Sequence, residues 1–314
     1  MFRAVGANKM KTTLIVTLIF LFFSGIIYAI SFFLLDFGYL SAVFAIVISF
    51  IGSFAVYWNS DKIVLRLHNA RPATPAQDAK LTNILEGLCI AAGVPKPRLY
   101  VMEDRALNAF ATGRSPKKGV ICVTTGLLDK LDYYQLEGVV AHELAHIKNY
   151  DILLQTVAGI MIGSAIIVAR TASRVMWRSG GGRSAQRVSQ SASSNSGGSA
   201  LASLLIVVVG AIFMIIAPIM GQFLKMLLSR NREYLADAKG AEFTRNPEAL
   251  ASALEVISGS TIPLQKMSNA TESMYIITPC AEMRAEMRSK KKSASLFSTH
   301  PPVEKRVEAL RNLR

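Results

Sequence analysis

Two long apolar runs without a charged residue lie next to each other near the N-terminus, and they restrict the possible fold more than any other feature. They cover residues 12–35 and 39–58, and only a short turn around Asp36 and Gly38 separates them. A helix needs about 20 apolar residues to cross a bilayer. Because the first run exceeds the core of about 7–15 residues found in a signal peptide, we predict an uncleaved transmembrane hairpin over residues 1–58.

Basic residues flank this hairpin on both sides along the chain. They are Arg3, Lys9 and Lys11 before the first run and Lys62, Arg66 and Arg71 after the second. Segments rich in Lys and Arg tend to stay on the cytoplasmic side of a membrane. We therefore expect both ends of the hairpin, and the chain that follows it, in the cytoplasm.

The composition agrees with a membrane protein in a reducing compartment. Hydrophobic residues make up 51% and charged residues 18%, below the share of about 25% in soluble proteins. The net charge of +14 has no aromatic-plus-basic recognition module beside it, so we expect the lipid bilayer and not nucleic acid as its partner. Cys89, Cys122 and Cys280 are widely spaced, which argues against a disulfide framework or a thiolate metal site.

Residues 59–150 are patterned like the first part of a soluble domain. Apolar periodicity predicts a helix over 76–92 that ends at Gly93, and another helix over 133–150. Between them the sequence predicts a small sheet of three short strands, which are Arg98–Met102, Leu107–Thr112 and Val120–Thr124.

A second pair of apolar stretches, 152–169 and 201–220, lies within residues 151–228 and encloses a flexible Gly/Ser-rich loop at 179–200. The loop is flanked by arginines and contains no acidic residue. A full hairpin would place this basic loop outside, against the positive-inside tendency. Either the tendency is broken here or the two stretches do not fully cross the membrane.

Residues 229–314 are expected to return to the soluble domain. The pattern predicts an irregular polar segment at 260–298 and three helices, at about 221–245, at 247–258 with Asn246 as its cap, and at 303–313. The predicted fold class is therefore a mainly α-helical membrane protein with a small β-sheet. Its catalytic domain is expected to be joined to about four transmembrane helices.

The strongest chemical signal is the HExxH sequence His142-Glu143-Leu144-Ala145-His146. On a helix, positions i and i+4 share one face, so both imidazoles can bind one metal ion while Glu143 acts as general base on a zinc-bound water. An HExxH motif arises by accident in a chain of this length about once in a hundred. The alternative is a solvated helix with two chance histidines.

A catalytic zinc ion needs a third protein ligand, and Glu233 is the best candidate. It follows the fourth apolar stretch, so a membrane hairpin would return it to the side of the HExxH helix. Asp237 lies four residues further on and would accept a hydrogen bond from His142 or His146. Equally, Glu233 and Asp237 would pair with neighbouring arginines, Arg230 or Arg232, as surface charges.

Several separate motifs occur in a specific order along nearly the whole chain. They are NAFATG, AHELAHIKNYD, SRNREYLADAKGA and STHPPVEKRVEAL, and they follow the two N-terminal apolar runs. In this combination the chain resembles the HtpX-type membrane metalloproteases, which are relatives of the CAAX prenyl endopeptidases. The main part of the chain outside the resemblance is the loop at 179–200.

The resemblance implies a zincin-like catalytic domain with one zinc ion per chain. The implied site residues are the ligands His142, His146 and Glu233, the catalytic base Glu143, the supporting residues Asp237 and Arg306, and His300, which would stabilise the oxyanion. It also implies an edge strand at 107–112 that pairs with an extended substrate through Asn108 and Ala109.

The implied activity is a zinc endopeptidase of the bacterial inner membrane, with its active site facing the cytoplasm. Its implied partners are misfolded or misassembled membrane proteins, cleaved for quality control under stress. The stretch 152–169 begins six residues after His146, which would hold the site close to the bilayer. Two alternatives are a site-specific processing protease of CAAX type and a non-catalytic zinc-binding scaffold or chaperone.

Overall fold

The computed structural model describes residues 40–76, 78–156, 230–265, 274–277 and 301–313, together with isolated positions between 6 and 28. The stretches predicted as transmembrane at 12–35, 152–169 and 201–220, and the loop at 179–200, lie wholly or mostly outside these described residues.

The chain divides into two compact units that alternate along the sequence. The first consists of Met1–Thr12, Asn59–Ile160 and Leu224–Arg314. The second consists of Thr13–Trp58 and Met161–Phe223.

Most helices of the described residues lie where apolar periodicity predicts them. They are α1 (Leu40–Trp58), α2 (Ser60–Leu67), α3 (Ala79–Ala92), α4 (Thr125–Lys130), α5 (Tyr133–Lys148), α6 (Arg230–Thr244), α7 (Pro247–Gly259) and α8 (Val303–Arg311). Helices α2 and α4 were not predicted, since they contain only 8 and 6 residues and are too short to show a period. Asn246 caps α7 as predicted, because its side chain accepts a hydrogen bond from the Ala249 N–H.

Helix α1 belongs to the second unit and carries no charged residue. Within the part of the chain that the structure describes, no single helix is long and apolar enough to cross a membrane. The bent pair Leu40–Ala55 and Ser60–Leu67 does pass that test together, by length and composition.

The sheet has four strands where the sequence predicted three. They are β1 (Arg71–Pro72), β2 (Arg98–Met102), β3 (Ala109–Thr112) and β4 (Val120–Thr124), in the spatial order β1-β2-β4-β3. Strand β2 runs parallel to β4, while β1 and β3 are antiparallel to their neighbours. Strand β1 has two residues and includes a proline, which is tolerated at a sheet edge, so no alternating pattern could reveal it.

Helix α5 forms the centre of the first unit. A capping box starts it, since Asp132 and Gln135 each accept a hydrogen bond from the other's backbone N–H. It packs against α3, α6 and α7 and against strand β3. Side chains are consequently buried almost continuously from Leu136 to Ile147, polar ones included.

Two glycines permit helices to approach α5 closely. A Cβ atom on Gly138 of α5 would lie 2.8 Å from the backbone nitrogen of Leu250 in α7. A Cβ atom on Gly240 of α6 would lie 3.1 Å from the backbone nitrogen of His142. At these two glycines, α6 and α7 therefore pack against α5 backbone to backbone.

Gly138→Ala is expected to destabilise the protein by about 1–3 kcal/mol, because the added methyl group meets the α7 backbone, which cannot rotate away. The matched control is Gly87→Ala in α3, where the new methyl group would have nothing within 4 Å. That change is expected to stabilise by about 0.5–1 kcal/mol through helix propensity. Thermal unfolding of the detergent-solubilised variants measures both, and equal midpoints for the two would contradict the packing described.

Candidate active site

Helix α5 brings His142, Glu143 and His146 into the interior of the first unit. The two histidines are one helical turn apart, and their Nε2 atoms lie 3.2 Å from each other. Both rings and the Glu143 carboxylate are buried. The alternative of a solvated helix with chance histidines is therefore wrong.

Helix α6 adds Glu233 to this pair. One carboxylate oxygen lies 3.6 Å from His146 Nε2 and the other lies 4.0 Å from His142 Nε2. One ligand atom from each of these three residues falls within 4.8 Å of the other two. Two imidazole nitrogens and one carboxylate oxygen are the donor set of many catalytic zinc sites, which leave a fourth position open. The three side chains fit such an ion.

Asp237 and Arg306 support this group from α6 and α8. Asp237 Oδ1 lies 2.9 Å from His142 Nδ1, so the carboxylate fixes the Nδ1 proton and leaves Nε2 free as a ligand. The Arg306 guanidinium binds Asp237 through two contacts, of 2.6 and 2.8 Å. Glu233 and Asp237 are only 4% and 2% exposed, so they are not the surface charges of the alternative interpretation.

Asp151 is a site residue that the sequence analysis missed. Its Oδ2 atom lies 3.0 Å from His146 Nδ1, and its Oδ1 atom lies 3.6 Å from Arg232 Nη1. The chain reaches this position because Tyr150, just after α5, adopts a left-handed backbone with φ of 61°. The sequence feature that could have indicated this residue is an acidic side chain five positions after the second histidine of the motif.

Glu143 carries a reactive carboxylate. Its Oε2 atom is buried without a hydrogen-bond partner among the described residues. Burial raises the pKa of Glu143 to about 7, a change that the nearby positive charges and a backbone hydrogen bond from Ala111 only partly oppose. A carboxylate that titrates near neutral pH can both accept and return a proton, as a general base requires.

The two histidines differ in their affinity for a proton. Burial lowers the pKa of His142 to about 4, despite the hydrogen bond with Asp237. Burial acts in the same direction on His146, but the hydrogen bond with Asp151 and the charge of Glu233 outweigh it and raise the pKa of His146 to about 9. Without a metal, His146 therefore holds a proton at neutral pH.

Strand β3 begins at Ala109, not at Leu107 as predicted, so Asn108 lies just before it, and the strand forms one edge of the four-stranded sheet. The Ile276 N–H donates to the Ala109 carbonyl at 3.1 Å. The Asn108 side chain donates to the Ile277 carbonyl at 3.1 Å and accepts from the Ala109 N–H at 3.0 Å. The outer edge of β3 is thus partly paired with the chain's own segment 274–277.

Segment 274–277 lies inside the region predicted as polar and irregular, and all four of its residues are buried. The Tyr275 ring packs edge-on against Phe110, and its hydroxyl lies 2.7 Å from His68 Nε2. Arg306 Nη1 donates to the Ile276 carbonyl at 2.9 Å. The prediction of a polar segment was wrong at this place, because the apolar residues at 274–277 pack into the core.

His300 lies outside the described residues, as does Cys280. The predicted role of His300 at the oxyanion therefore stays a prediction. Cys89 and Cys122 are both free and buried, in agreement with the absence of a CxxC pattern.

The fold and the site together define a metalloprotease of the HExxH class. The sequence model of the family described as Peptidase family M48 matches residues 75–314. The chain is 41% identical to a "Protease HtpX homolog" from Dictyoglomus thermophilum over 99% of this chain and 94% of that protein. It is 40% identical to a "Protease HtpX homolog" from Listeria monocytogenes serotype 4a over the whole of both chains. The chain therefore belongs to peptidase family M48, and it is a membrane metalloprotease.

A solved structure shares the fold. The crystal structure of S. mikatae Ste24p matches 98% of this chain with a TM-score of 0.50 at 17% sequence identity. The present chain spans 66% of the length of that structure. The likeness supports the mainly helical architecture with its small sheet.

Binding of a divalent cation at His142, His146 and Glu233 is expected to release a proton from His146, since a protonated Nε2 cannot act as a ligand. The dissociation constant should therefore fall about tenfold per pH unit from pH 7 to about pH 9 and level off above that. Calorimetry in two buffers of different ionisation enthalpy measures the protons released per ion. A dissociation constant that is equal at pH 7 and pH 9 would contradict this assignment.

Proposed function

We propose that this chain is a zinc endopeptidase of the bacterial inner membrane that cleaves misfolded or damaged membrane proteins at the cytoplasmic face. One observation carries the proposal. Glu143, whose Oε2 atom is buried without a hydrogen-bond partner among the described residues, lies on the same helix as two proposed ligand histidines that meet Glu233. A purely structural metal site does not need a base beside its ligands.

The proposed ligands are His142, His146 and Glu233, with zinc as the ion. When bound, zinc lowers the pKa of a water molecule toward neutrality and polarises the scissile carbonyl.

The protein's own contribution begins with Glu143, which takes a proton from the attacking water and later gives it to the leaving amine. Asp237 holds the Nδ1 proton of His142, and Arg306 keeps Asp237 ionised. His300 is proposed to donate a hydrogen bond to the developing oxyanion.

The proposed membrane organisation has two helical pairs. A hairpin over 1–58 and a second pair within 151–228, with the loop at 179–200, would anchor the catalytic parts 59–150 and 229–314. The alternation of the two compact units along the chain supports this arrangement. The basic residues around the first hairpin support a cytoplasmic site.

The proposed substrates and their contacts are inferred from the positions of two parts of the chain, the apolar stretch at 152–169 and the sheet edge at Asn108 and Ala109. The apolar stretch at 152–169 begins six residues after His146, which favours membrane proteins and membrane-proximal tails as substrates. Main-chain pairing of an extended peptide with Asn108 and Ala109 stays a prediction. It requires the Ile276 N–H to leave the Ala109 carbonyl, which it occupies at 3.1 Å.

Glu143→Gln is expected to lower the cleavage rate of an unfolded membrane protein by about 10²–10⁴-fold, because the amide cannot take a proton from water. Zinc should still bind at one ion per chain, since all three proposed ligands remain. Gel-based cleavage by the detergent-purified chain, beside zinc analysis of the same sample, measures both quantities.

Glu137→Gln is the matched control for this experiment. Glu137 lies on the same helix α5, six residues earlier and partly exposed, and its variant should cleave at the wild-type rate. Equal rates for wild type and Glu143→Gln would contradict the catalytic role and favour a zinc-binding scaffold. Cleavage of a prenylated tail peptide but of no unfolded membrane protein would contradict the quality-control function and favour a processing protease.

A further inference from the structure

Each of the two histidines on α5 is backed by a carboxylate, and each carboxylate lies beside a guanidinium group. In the first chain of contacts, His142 Nδ1 lies 2.9 Å from Asp237, which Arg306 holds through two hydrogen bonds. This arrangement comes from α5, α6 and α8. The resemblance to the HtpX-type proteases had already implied supporting roles for Asp237 and Arg306.

The second chain of contacts has the same order of groups but uses residues to which no role had been assigned. His146 Nδ1 lies 3.0 Å from Asp151 Oδ2, and Arg232 Nη1 lies 3.6 Å from Asp151 Oδ1. Asp151 is 1% exposed, and the Arg232 side chain is 11% exposed. The Nε and Nη1 atoms of Arg232 are buried without a hydrogen-bond partner among the described residues.

The local backbone shows that Asp151 is held in place. Helix α5 ends at Lys148, and Asn149 follows as its C-cap. Tyr150 then takes a left-handed conformation, which favours glycine and is costly for an aromatic residue. After this turn the Asp151 carboxylate lies within hydrogen-bond distance of His146.

We propose that Asp151 and Arg232 are positioning residues for His146, an inference that depends on the proposed role of His146 as a metal ligand. Asp151 accepts a hydrogen bond from the Nδ1–H group, which fixes the tautomer and directs Nε2 toward the ion. The Arg232 guanidinium attracts the Asp151 carboxylate from its other side. At 3.6 Å this contact is too long for a hydrogen bond, so the contribution of Arg232 is electrostatic and weaker than that of Arg306.

The competing interpretation is that Asp151 and Arg232 form a buried ion pair that supports only the fold. Both interpretations predict a loss of stability on substitution, so stability cannot distinguish them. They differ in metal affinity and in the geometry of the bound ion. A positioning residue changes both, because the imidazole is no longer held toward the ion, whereas a fold-supporting pair leaves both unchanged once the protein is folded.

The test uses the full-length, detergent-purified chain and its Asp151→Asn variant. Zinc affinity is measured by competition with a chromophoric chelator, and the visible spectrum of the cobalt-substituted protein reports ligand geometry. Asp151→Asn is expected to weaken zinc binding by about 10–100-fold and to alter the cobalt bands. Asp129→Asn, an exposed aspartate of α4, is the matched control and should behave as wild type in both measurements.

Asp151→Asn with the zinc affinity and cobalt spectrum of wild type would overturn the inference while leaving the proposed function intact. A wild-type chain that binds no zinc would overturn both. Where Asp151→Asn does not fold, Arg232→Gln decides, since it leaves Asp151 in place. Weaker zinc binding by this variant supports the inference, and unchanged binding overturns it.

Discussion

The structure depends on one constraint, which is that α5 carries two imidazoles and a carboxylate into a position buried on every side. Isolated charges in such an interior are strongly unfavourable unless partners meet them. Each surrounding element supplies such a partner. Helix α6 brings Glu233 and Asp237 and helix α8 brings Arg306, while the turn after α5 brings Asp151. The packing that closes the core therefore also assembles the site.

The charges of the site explain why it suits a divalent cation. Four carboxylates lie around the two histidines, namely those of Glu143, Asp151, Glu233 and Asp237. Only two guanidinium groups, of Arg232 and Arg306, lie against them. When all four carboxylates are ionised, the site therefore carries two negative charges in excess. A divalent ion balances this excess. Without it, a proton takes over part of the role, because the hydrogen bond with Asp151 and the charge of Glu233 raise the pKa of His146 despite its burial.

Local features of the site could be predicted from the sequence, while features that depend on an unusual backbone or on distant contacts could not. The i and i+4 spacing of His142 and His146 is a property of one helix, and the helix follows from its apolar period. Asp151 was missed because its position requires a left-handed residue, and Tyr150 gives no signal of one, unlike the glycine or asparagine usual there. Segment 274–277 was missed because four residues show no period, and their partner strand lies more than 160 positions earlier.

The segment at 274–277 shows how contacts far apart in sequence join the outer edge of β3 to the group formed by His142, His146 and Glu233. Arg306 donates to the Ile276 carbonyl and also holds Asp237, while the Ile276 N–H pairs with Ala109 of β3. One guanidinium group therefore connects the sheet edge with the support of His142. Removing Arg306 releases both at once, whereas removing the Asp237 carboxylate takes away only the support of His142. Arg306 contacts both the sheet edge and Asp237, whereas Asp237 contacts His142. Comparing the loss of each side chain therefore separates the contribution of the sheet edge from that of the orientation of His142.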